Sequence, residues 1–153
     1  MTKLSTKRLG PGDDALAAKL FTLMTEVFDE QAPAPLSKAY LGRLLGREDF
    51  WVIAAFMDEE LVAGITAHVL PMTRSETSEL FIYDLAVKAA YQRRGIGREL
   101  IHALRAGGAA AGIGDVFVPA DDEDRHALDF YRAVGGAPAP VTIFTFPASD
   151  AAP

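Results

Sequence analysis

The sequence predicts an α/β domain of the α+β type, in which a mixed sheet carries helices on both faces. Hairpin-like strand pairs dominate the first half of the chain and β-α-β units the second, in the order β-α-α-β-β-β-α-β-α-β. A chain of 153 residues, 50% of them hydrophobic, can build one sizeable core. We therefore expect a single domain over residues 1–147, followed by a frayed tail at 148–153.

The first half is expected to hold one strand, two helices and a hairpin. TKLSTKRL is typical of a first strand, and Asp13 or Asp14 after it can cap a helix to about Phe28. Ser37, after a proline-broken loop, can cap a short second helix across KAYLGRLLG. Two β-prone runs on either side of a DEE turn predict a hairpin over residues 50–71.

The second half alternates strands with helices. ELFIYDLAV predicts a strand, and GIGRELIHALRAGGAAAG predicts a helix with Ile96, Leu100 and Leu104 on one face. GDVFVPA predicts a further strand, and DRHALDFYRAVGG predicts a helix that ends at Gly135 and Gly136. PVTIFTF is typical of a last strand.

Composition excludes several classes of protein. The absence of cysteine excludes disulfides and thiolate metal sites, and the three histidines lack metal-ligand spacing, so no metal is expected. No signal-peptide-like segment or membrane-spanning run is present, which predicts a cytoplasmic protein without a membrane partner. The formal net charge of −6 disfavours nucleic acid and favours a cationic partner, although many soluble proteins are acidic for solubility alone.

An arginine–glycine segment, QRRGIG, joins the strand ending YDLAV to the next helix. A helix N-terminus offers unpaired N–H groups and a positive dipole end, glycines allow close approach, and arginines add charge-assisted contacts. The segment therefore indicates a diphosphate cradle, with an ordinary strand–helix turn and solvated arginines as the alternative. It is not a Walker loop, since Gly-Lys-Ser/Thr is absent, and Leu100 breaks the dinucleotide fingerprint.

Together with a second motif, this segment resembles the GNAT superfamily of acyl-CoA-dependent N-acyltransferases. QRRGIG matches the family pattern Q/R-x-x-G-x-G/A. DRHALDFYRAVGG matches the helix pattern N-x-x-A-x-x-F-Y-x-x-x-G-F in four positions, namely Ala127, Phe130, Tyr131 and Gly135. Asp124 replaces the usual asparagine, and Gly136 replaces the usual aromatic residue. The resemblance spans residues 51–146.

The resemblance implies the GNAT fold, a mixed central sheet of six to seven strands flanked by about four helices, with acetyl-CoA as co-substrate. In the family, the strand before the cradle carries a bulge and pairs with the pantetheine arm, and the following loop holds the pyrophosphate. The implied pantetheine contacts are Leu85, Ala86 and Val87. The implied cofactor-binding residues of the loop are Gln92, Arg93, Arg94, Gly95, Ile96, Gly97 and Arg98.

Within the superfamily, the chain is most similar to class I aminoglycoside 3-N-acetyltransferases, through AYLGRLL, FWVIAAF, LVAGITAHVLP, IYDLAV and ADDEDRHALDFY. Thr145 stands where some members carry an aspartate. This likeness implies acetyl transfer to the 3-amino group of an aminoglycoside in a ternary complex, and a homodimer joined through C-terminal strands. The alternatives are a polyamine or protein amine as acceptor, or a non-catalytic acyl-CoA-binding module.

Asp84 is the candidate catalytic base. In ideal strand alternation it shares a face with Leu80, Ile82 and Ala86, and a carboxylate in an apolar row is desolvated, which raises its pKa. The family bulge would disturb that alternation. Two alternatives stay open for Asp84: it binds the acceptor's ammonium group, or it accepts hydrogen bonds from backbone N–H groups that the bulge exposes.

Tyr131 is the candidate acid, because its phenol is protonated at neutral pH and the resemblance places it near the cofactor sulfur. The alternative is a buried aromatic residue that packs the last helix. The acidic segment ADDEDR supplies the expected acceptor contacts Asp121, Asp122 and Asp124, because clustered carboxylates attract a polycation. Alternatively these residues serve the next helix, and for Asp124 the role of N-cap is favoured.

Overall fold

The computed structural model describes residues 2–31 and 34–148, and the predicted tail lies outside them apart from Ala148. The chain divides into two compact units, residues 1–119 and 120–153. The elements of the first unit are β1 Leu4–Arg8, α1 Asp14–Val27, α2 Lys38–Leu45, β2 Phe50–Met57, β3 Glu60–Pro71, β4 Ser78–Val87, a 3₁₀ turn at Ala89–Tyr91, α3 Ile96–Ala110 and β5 Val116–Phe117. The second unit holds α4, Arg125–Ala133.

The first unit is built on one mixed sheet with the strand order β1-β2-β3-β4-β5. The first three pairs are antiparallel and β5 runs parallel to β4, so the predicted mixed sheet is confirmed. β2 and β3 form the predicted hairpin, in which Phe50 pairs with His68 and Met57 with Glu60. Asp58 closes its turn with a φ of 56°.

Helices cover both faces of this sheet, as the sequence predicts. On the face that we call the α1–α2 face, Leu20, Met24 and Leu41 pack with Val52 and Ala54 of β2. A Cβ on Gly64 of β3 would overlap the Leu20 side chain, so α1 lies directly against the sheet.

On the opposite face, which we call the α3 face, Leu100 and Leu104 of α3 are buried. A Cβ on Gly108 would lie 2.9 Å from Cδ1 of Leu80 in β4, and one on Gly107 would lie 3.5 Å from the Trp51 ring. Because helices cover both faces of the sheet at β2, this strand is buried along most of its length.

The helix starts follow local hydrogen-bond chemistry. Ser37 caps α2, since its hydroxyl accepts the Tyr40 N–H at 3.0 Å, as predicted. Asp13 precedes α1, but its carboxylate accepts the Gly10 N–H at 2.9 Å and binds Lys7 Nζ at 3.1 Å. It therefore stabilises the turn before α1 and makes no side-chain cap to the helix.

The prediction of a last strand at PVTIFTF is wrong. Residues 140–146 belong to no strand, and β5 has only two residues, so the described residues hold five strands where six to seven were expected. Alternating apolar residues form a strand only where a neighbouring strand supplies hydrogen bonds, and residues 120–148 contain no other strand. Accordingly, Val141, Ile143, Phe144 and Phe146 are 71–92% exposed.

Within the described ranges, no helix is both long and apolar enough to cross a bilayer. The same residues contain no group of three or more histidine, aspartate or glutamate side chains placed to hold a metal ion.

Candidate functional site

A bulge interrupts β4 next to the candidate base. Ile82 pairs with Ala67 and Asp84 with Thr66, so Tyr83 is an extra residue opposite no partner on β3. The Thr66 hydroxyl accepts the Asp84 N–H at 3.1 Å, and Thr66 is only 3% exposed. A buried side chain on β3 therefore fixes the bulge.

The bulge turns Asp84 to the face opposite the one that ideal alternation predicts. Leu80 and Ile82, before the bulge, lie on the α3 face. Leu80 lies close to Gly108 of α3, and Ile82, two residues further along β4, points to the same side. Asp84 and Ala86, after the bulge, lie on the α1–α2 face. Ala86 is part of the core cluster, by which we mean the buried residues of α1, α2 and the strands under them. The expected grouping of Asp84 with Leu80 and Ile82 is thus wrong, because one inserted residue inverts the side-chain period.

Asp84 is half-buried, and this raises the pKa of its carboxyl group. Burial is the larger cause, and repulsion by the Glu30 carboxylate beyond α1 is the smaller one. A carboxylate with a raised pKa binds a proton more readily, which suits a general base. The same negative charge suits contact with an ammonium group, so the geometry is compatible with both chemical roles.

Beyond the bulge, β4 presents an open edge. β5 pairs with β4 only at Leu80 and Phe81, whereas β4 continues to Val87. Along Leu85, Ala86 and Val87, the edge facing away from β3 has no strand partner among the residues that the structure describes. Apart from the Val87 carbonyl, which accepts the Gln92 side chain, the N–H and C=O groups on this edge can therefore pair with an extended, amide-containing ligand in the manner of an added strand.

The loop after β4 has the backbone shape of an anion cradle. Arg93 and Gly95 both take left-handed conformations, with φ of 64° and 82°. Gly95 is the N-cap residue of α3, so the N–H groups of Ile96 and Gly97 begin a helix and have no acceptor within it. A Cβ on Gly95 would meet no atom within 4 Å, which leaves open space over this turn. Concave runs of N–H groups at helix starts bind phosphate groups.

The arginines of the loop extend this positive site. Arg93, Arg94 and Arg98 are exposed. Gln92, predicted to bind the cofactor, donates its side-chain amide to the Val87 carbonyl at 3.0 Å and thereby ties the loop to the end of β4.

A network that the sequence motifs do not reveal holds the 3₁₀ turn before the loop. The Tyr91 hydroxyl donates to Glu60 at 2.8 Å, and Lys88 Nζ lies 3.3 Å from the other Glu60 oxygen. The Arg94 guanidinium lies 5.2 Å from the centre of the Tyr91 ring. The hydrogen bond from Tyr91 lowers the pKa of Glu60, with a smaller effect from Lys88. Glu60 is on the β2–β3 hairpin, 28 or more residues from Lys88 and Tyr91 in sequence. The residues around the loop therefore give no indication that Glu60 binds them.

In the second unit, carboxylates of the acidic segment at residues 120–125 accept backbone N–H groups just before and at the start of α4. The Asp124 carboxylate accepts the Ala127 N–H at 3.0 Å, which confirms its predicted role as N-cap. Asp121 Oδ1 accepts the Glu123 N–H at 2.9 Å, and both Asp121 and Asp122 are exposed.

The described part of the second unit also contains Tyr131. Its ring makes an edge contact with Phe130, with ring centres 5.1 Å apart. Gly135 ends α4 with a φ of 102°, as predicted. A Cβ on Gly136 would lie 2.9 Å from the Tyr131 carbonyl oxygen, and its N–H donates to that oxygen at 2.8 Å. Any larger residue at position 136 would therefore force this turn to shift.

Comparisons with known proteins identify the family. The acetyltransferase (GNAT) family matches residues 17–135. The aminoglycoside acetyltransferase meta-AAC0020 from an uncultured soil metagenomic sample, crystallised with sisomicin, is 34% identical over 95% of this chain and 97% of its own, with a TM-score of 0.92. The aminoglycoside acetyltransferase HMB0005, also from an uncultured soil metagenomic sample, is 36% identical over 96% of this chain and 99% of its own, with a TM-score of 0.89.

A more distant enzyme shares the fold alone. AAC(6')-Iy, crystallised with CoA, is 14% identical over 97% of both chains, with a TM-score of 0.82. None of the curated proteins compared with the chain matches it. The family match covers well over half of the chain, and the bulged strand and arginine–glycine cradle lie inside it. The chain belongs to the acetyltransferase (GNAT) family.

Proposed function

We propose that this chain transfers an acetyl group from acetyl-CoA to the 3-amino group of an aminoglycoside, directly within a ternary complex. The observation that carries the aminoglycoside assignment is the 34% identity, over nearly the whole of both chains, to an aminoglycoside acetyltransferase crystallised with sisomicin. The same relative was also crystallised with trehalose. The 3-amino position comes from the resemblance to class I 3-N-acetyltransferases.

The cradle and the open strand edge fit acetyl-CoA. The N–H groups of Ile96 and Gly97 and the exposed guanidinium groups of Arg93 and Arg94 suit a pyrophosphate. The edge of Leu85–Val87, which has no strand partner and of which only the Val87 carbonyl is bonded to Gln92, suits the amides of a pantetheine arm. When bound, acetyl-CoA supplies an acyl carbon that an amine can attack.

Asp84 prepares the amine. An ammonium group cannot attack, so the acceptor has to lose a proton, and the Asp84 carboxylate is the group we assign to receive it, directly or through one water. Its half-buried position and raised pKa favour this task. Before proton transfer, the same carboxylate attracts the cationic amine, so the two roles are successive stages of one event.

Tyr131 is the proposed acid for the departing thiolate. This assignment rests on the match of α4 to the family's helix motif. A phenol is protonated at neutral pH and can therefore donate a proton to sulfur. Asp121 and Asp122, exposed at the start of the second unit, are the proposed carboxylates that attract further ammonium groups of the acceptor.

A set of amines tests the function. Thiol release from acetyl-CoA is followed with sisomicin, spermidine and short lysine peptides, and NMR of the product identifies the acetylated nitrogen. We expect turnover on sisomicin at the 3-amino group. Turnover only on spermidine or peptides would replace the aminoglycoside with a polyamine or protein acceptor. Tight CoA binding without turnover on any amine would indicate a non-catalytic acyl-CoA-binding module.

Two substitutions test the residue roles. Asp84→Asn is expected to lose most of kcat while CoA affinity, measured by calorimetry, stays unchanged. Tyr131→Phe is expected to lower kcat less, and to change the basic limb of the pH–rate profile. Wild-type kcat in Asp84→Asn would remove Asp84 from the chemistry, and an unchanged kcat and pH profile in Tyr131→Phe would make Tyr131 a packing residue.

A further inference from the structure

A row of aromatic rings crosses the sheet beside Asp84. We call His68, Phe81, Tyr83 and Phe117 the aromatic row. Phe81 and Phe117 are stacked, with centres 5.1 Å apart and planes 6° apart. Tyr83 makes edge contacts with Phe81 at 6.1 Å and with His68 at 5.6 Å. The row therefore spans three strands, β3, β4 and β5.

The aromatic row lies on the same face as Asp84. His68 pairs with both Phe50 and Phe81, and Phe50 belongs to the core cluster of α1 and α2. Phe50 contacts His68 with ring centres 5.2 Å apart, so the row continues outward from that core. Asp84 shares this face because of the bulge, and its partner Thr66 is two residues from His68 on β3, so Asp84 lies next to the row in register.

Sheet stability alone does not account for this row. Cross-strand aromatic pairs do stabilise sheets. However, Tyr83 is the unpaired bulge residue and is 63% exposed, and Phe117 is 43% exposed. Contiguous exposed aromatic surface is costly in water and marks binding sites. Here it adjoins a half-buried carboxylate with a second carboxylate, Glu30, near enough to act on it.

We propose that the aromatic row is the subsite for a saturated ring of the acceptor, which packs its less polar face on Tyr83 and Phe117 and thereby holds a ring amine beside Asp84. The inference rests on the proposed function. Ring C–H groups polarised by neighbouring ammonium groups are attracted to the faces of aromatic rings, as cations are. The adjacent carboxylates complement the positive charge of such a ring. An acyclic polyamine offers charge but no such face, so the row selects ring amines over chain amines.

The test compares a ring amine with a chain amine on variants of the row. Tyr83→Ala and Phe117→Ala each remove one exposed ring, and Phe117 lies on another strand, away from the bulge. Tyr83→Phe is the matched control that keeps the ring. Sisomicin and spermidine are titrated into the CoA-bound protein, their dissociation constants are measured by calorimetry, and the proton shifts of sisomicin are followed by NMR.

We expect wild-type protein and Tyr83→Phe to shift sisomicin ring protons upfield, as stacking on an aromatic face requires. Each alanine variant should weaken sisomicin binding about two- to tenfold, lose part of the shift and leave spermidine binding unchanged. Unchanged sisomicin affinity and shifts in both alanine variants would overturn the inference, as would equal losses for spermidine. Wild-type protein that binds and shifts sisomicin but never acetylates it would refute the proposed function and leave the aromatic row standing. No binding of sisomicin would refute both.

Discussion

Replacing Thr66 with valine tests whether one buried hydroxyl holds the bulge. Valine keeps the shape of threonine but loses the acceptor that lies 3.1 Å from the Asp84 nitrogen. Because Thr66 is 3% exposed, water reaches the vacated position poorly. Leaving a buried N–H without an acceptor costs about 1–3 kcal/mol. In a domain of this size, each kcal/mol lowers Tm by about 2–4 °C, so the expected loss is about 2–12 °C.

Thr66→Ser is the matched control. It keeps the hydroxyl and loses one buried methyl group, which costs about 0.8 kcal/mol. Thermal unfolding followed by circular dichroism gives the stabilities, and kcat on sisomicin, the acceptor used to test the proposed function, reports whether Asp84 keeps its position. We expect serine to retain kcat and valine to lose it, since only valine releases the bulge. A valine variant with wild-type Tm and wild-type kcat would refute the reasoning.

Three further outcomes follow from the site. Asp84→Asn should raise Tm at neutral pH, because the raised pKa means that the ionised carboxylate opposes folding there. The gain should shrink as the pH falls through the raised pKa of the wild-type carboxyl group, and a gain independent of pH would contradict this. Tyr91→Ala should weaken CoA binding about two- to fivefold, whereas Tyr91→Phe keeps the ring under Arg94 and most of the affinity, as calorimetry would measure. Gly95→Ala should cost about 1–2 kcal/mol of unfolding free energy through its left-handed φ alone, and Gly95→Asn less; equal losses would mean that packing decides.

Local chemistry made much of the fold predictable. Ser37 and Asp124 are N-caps because a short side chain with an oxygen, placed just before a helix, can accept an N–H group of the first turn that has no partner in the helix. The β2–β3 hairpin follows from two β-prone runs separated by a polar turn. Gly135 follows the end of α4 with a positive φ, which glycine adopts without strain because it has no Cβ.

What the sequence did not predict depends on partners distant along the chain. PVTIFTF has the alternation of a strand, yet a strand also needs a neighbour, which no local pattern reports. Likewise, nothing around Tyr91 indicates that Glu60 of the β2–β3 hairpin accepts its hydroxyl. Similarly, the sequence of β3 does not indicate a role for Thr66, because its hydrogen bond to Asp84 depends on how β3 pairs with β4.

The bulge at Tyr83 is the feature that joins these parts into a site. If β4 kept strict alternation through Tyr83 with no bulge, Asp84 would share the α3 face with Leu80 and Ile82. With the bulge, Asp84 lies on the α1–α2 face, the same face as the aromatic row, while Leu85–Val87 continue along the open edge of the strand. In the function we propose, this single register shift leaves one side of β4 to the amine and its edge to the acyl donor.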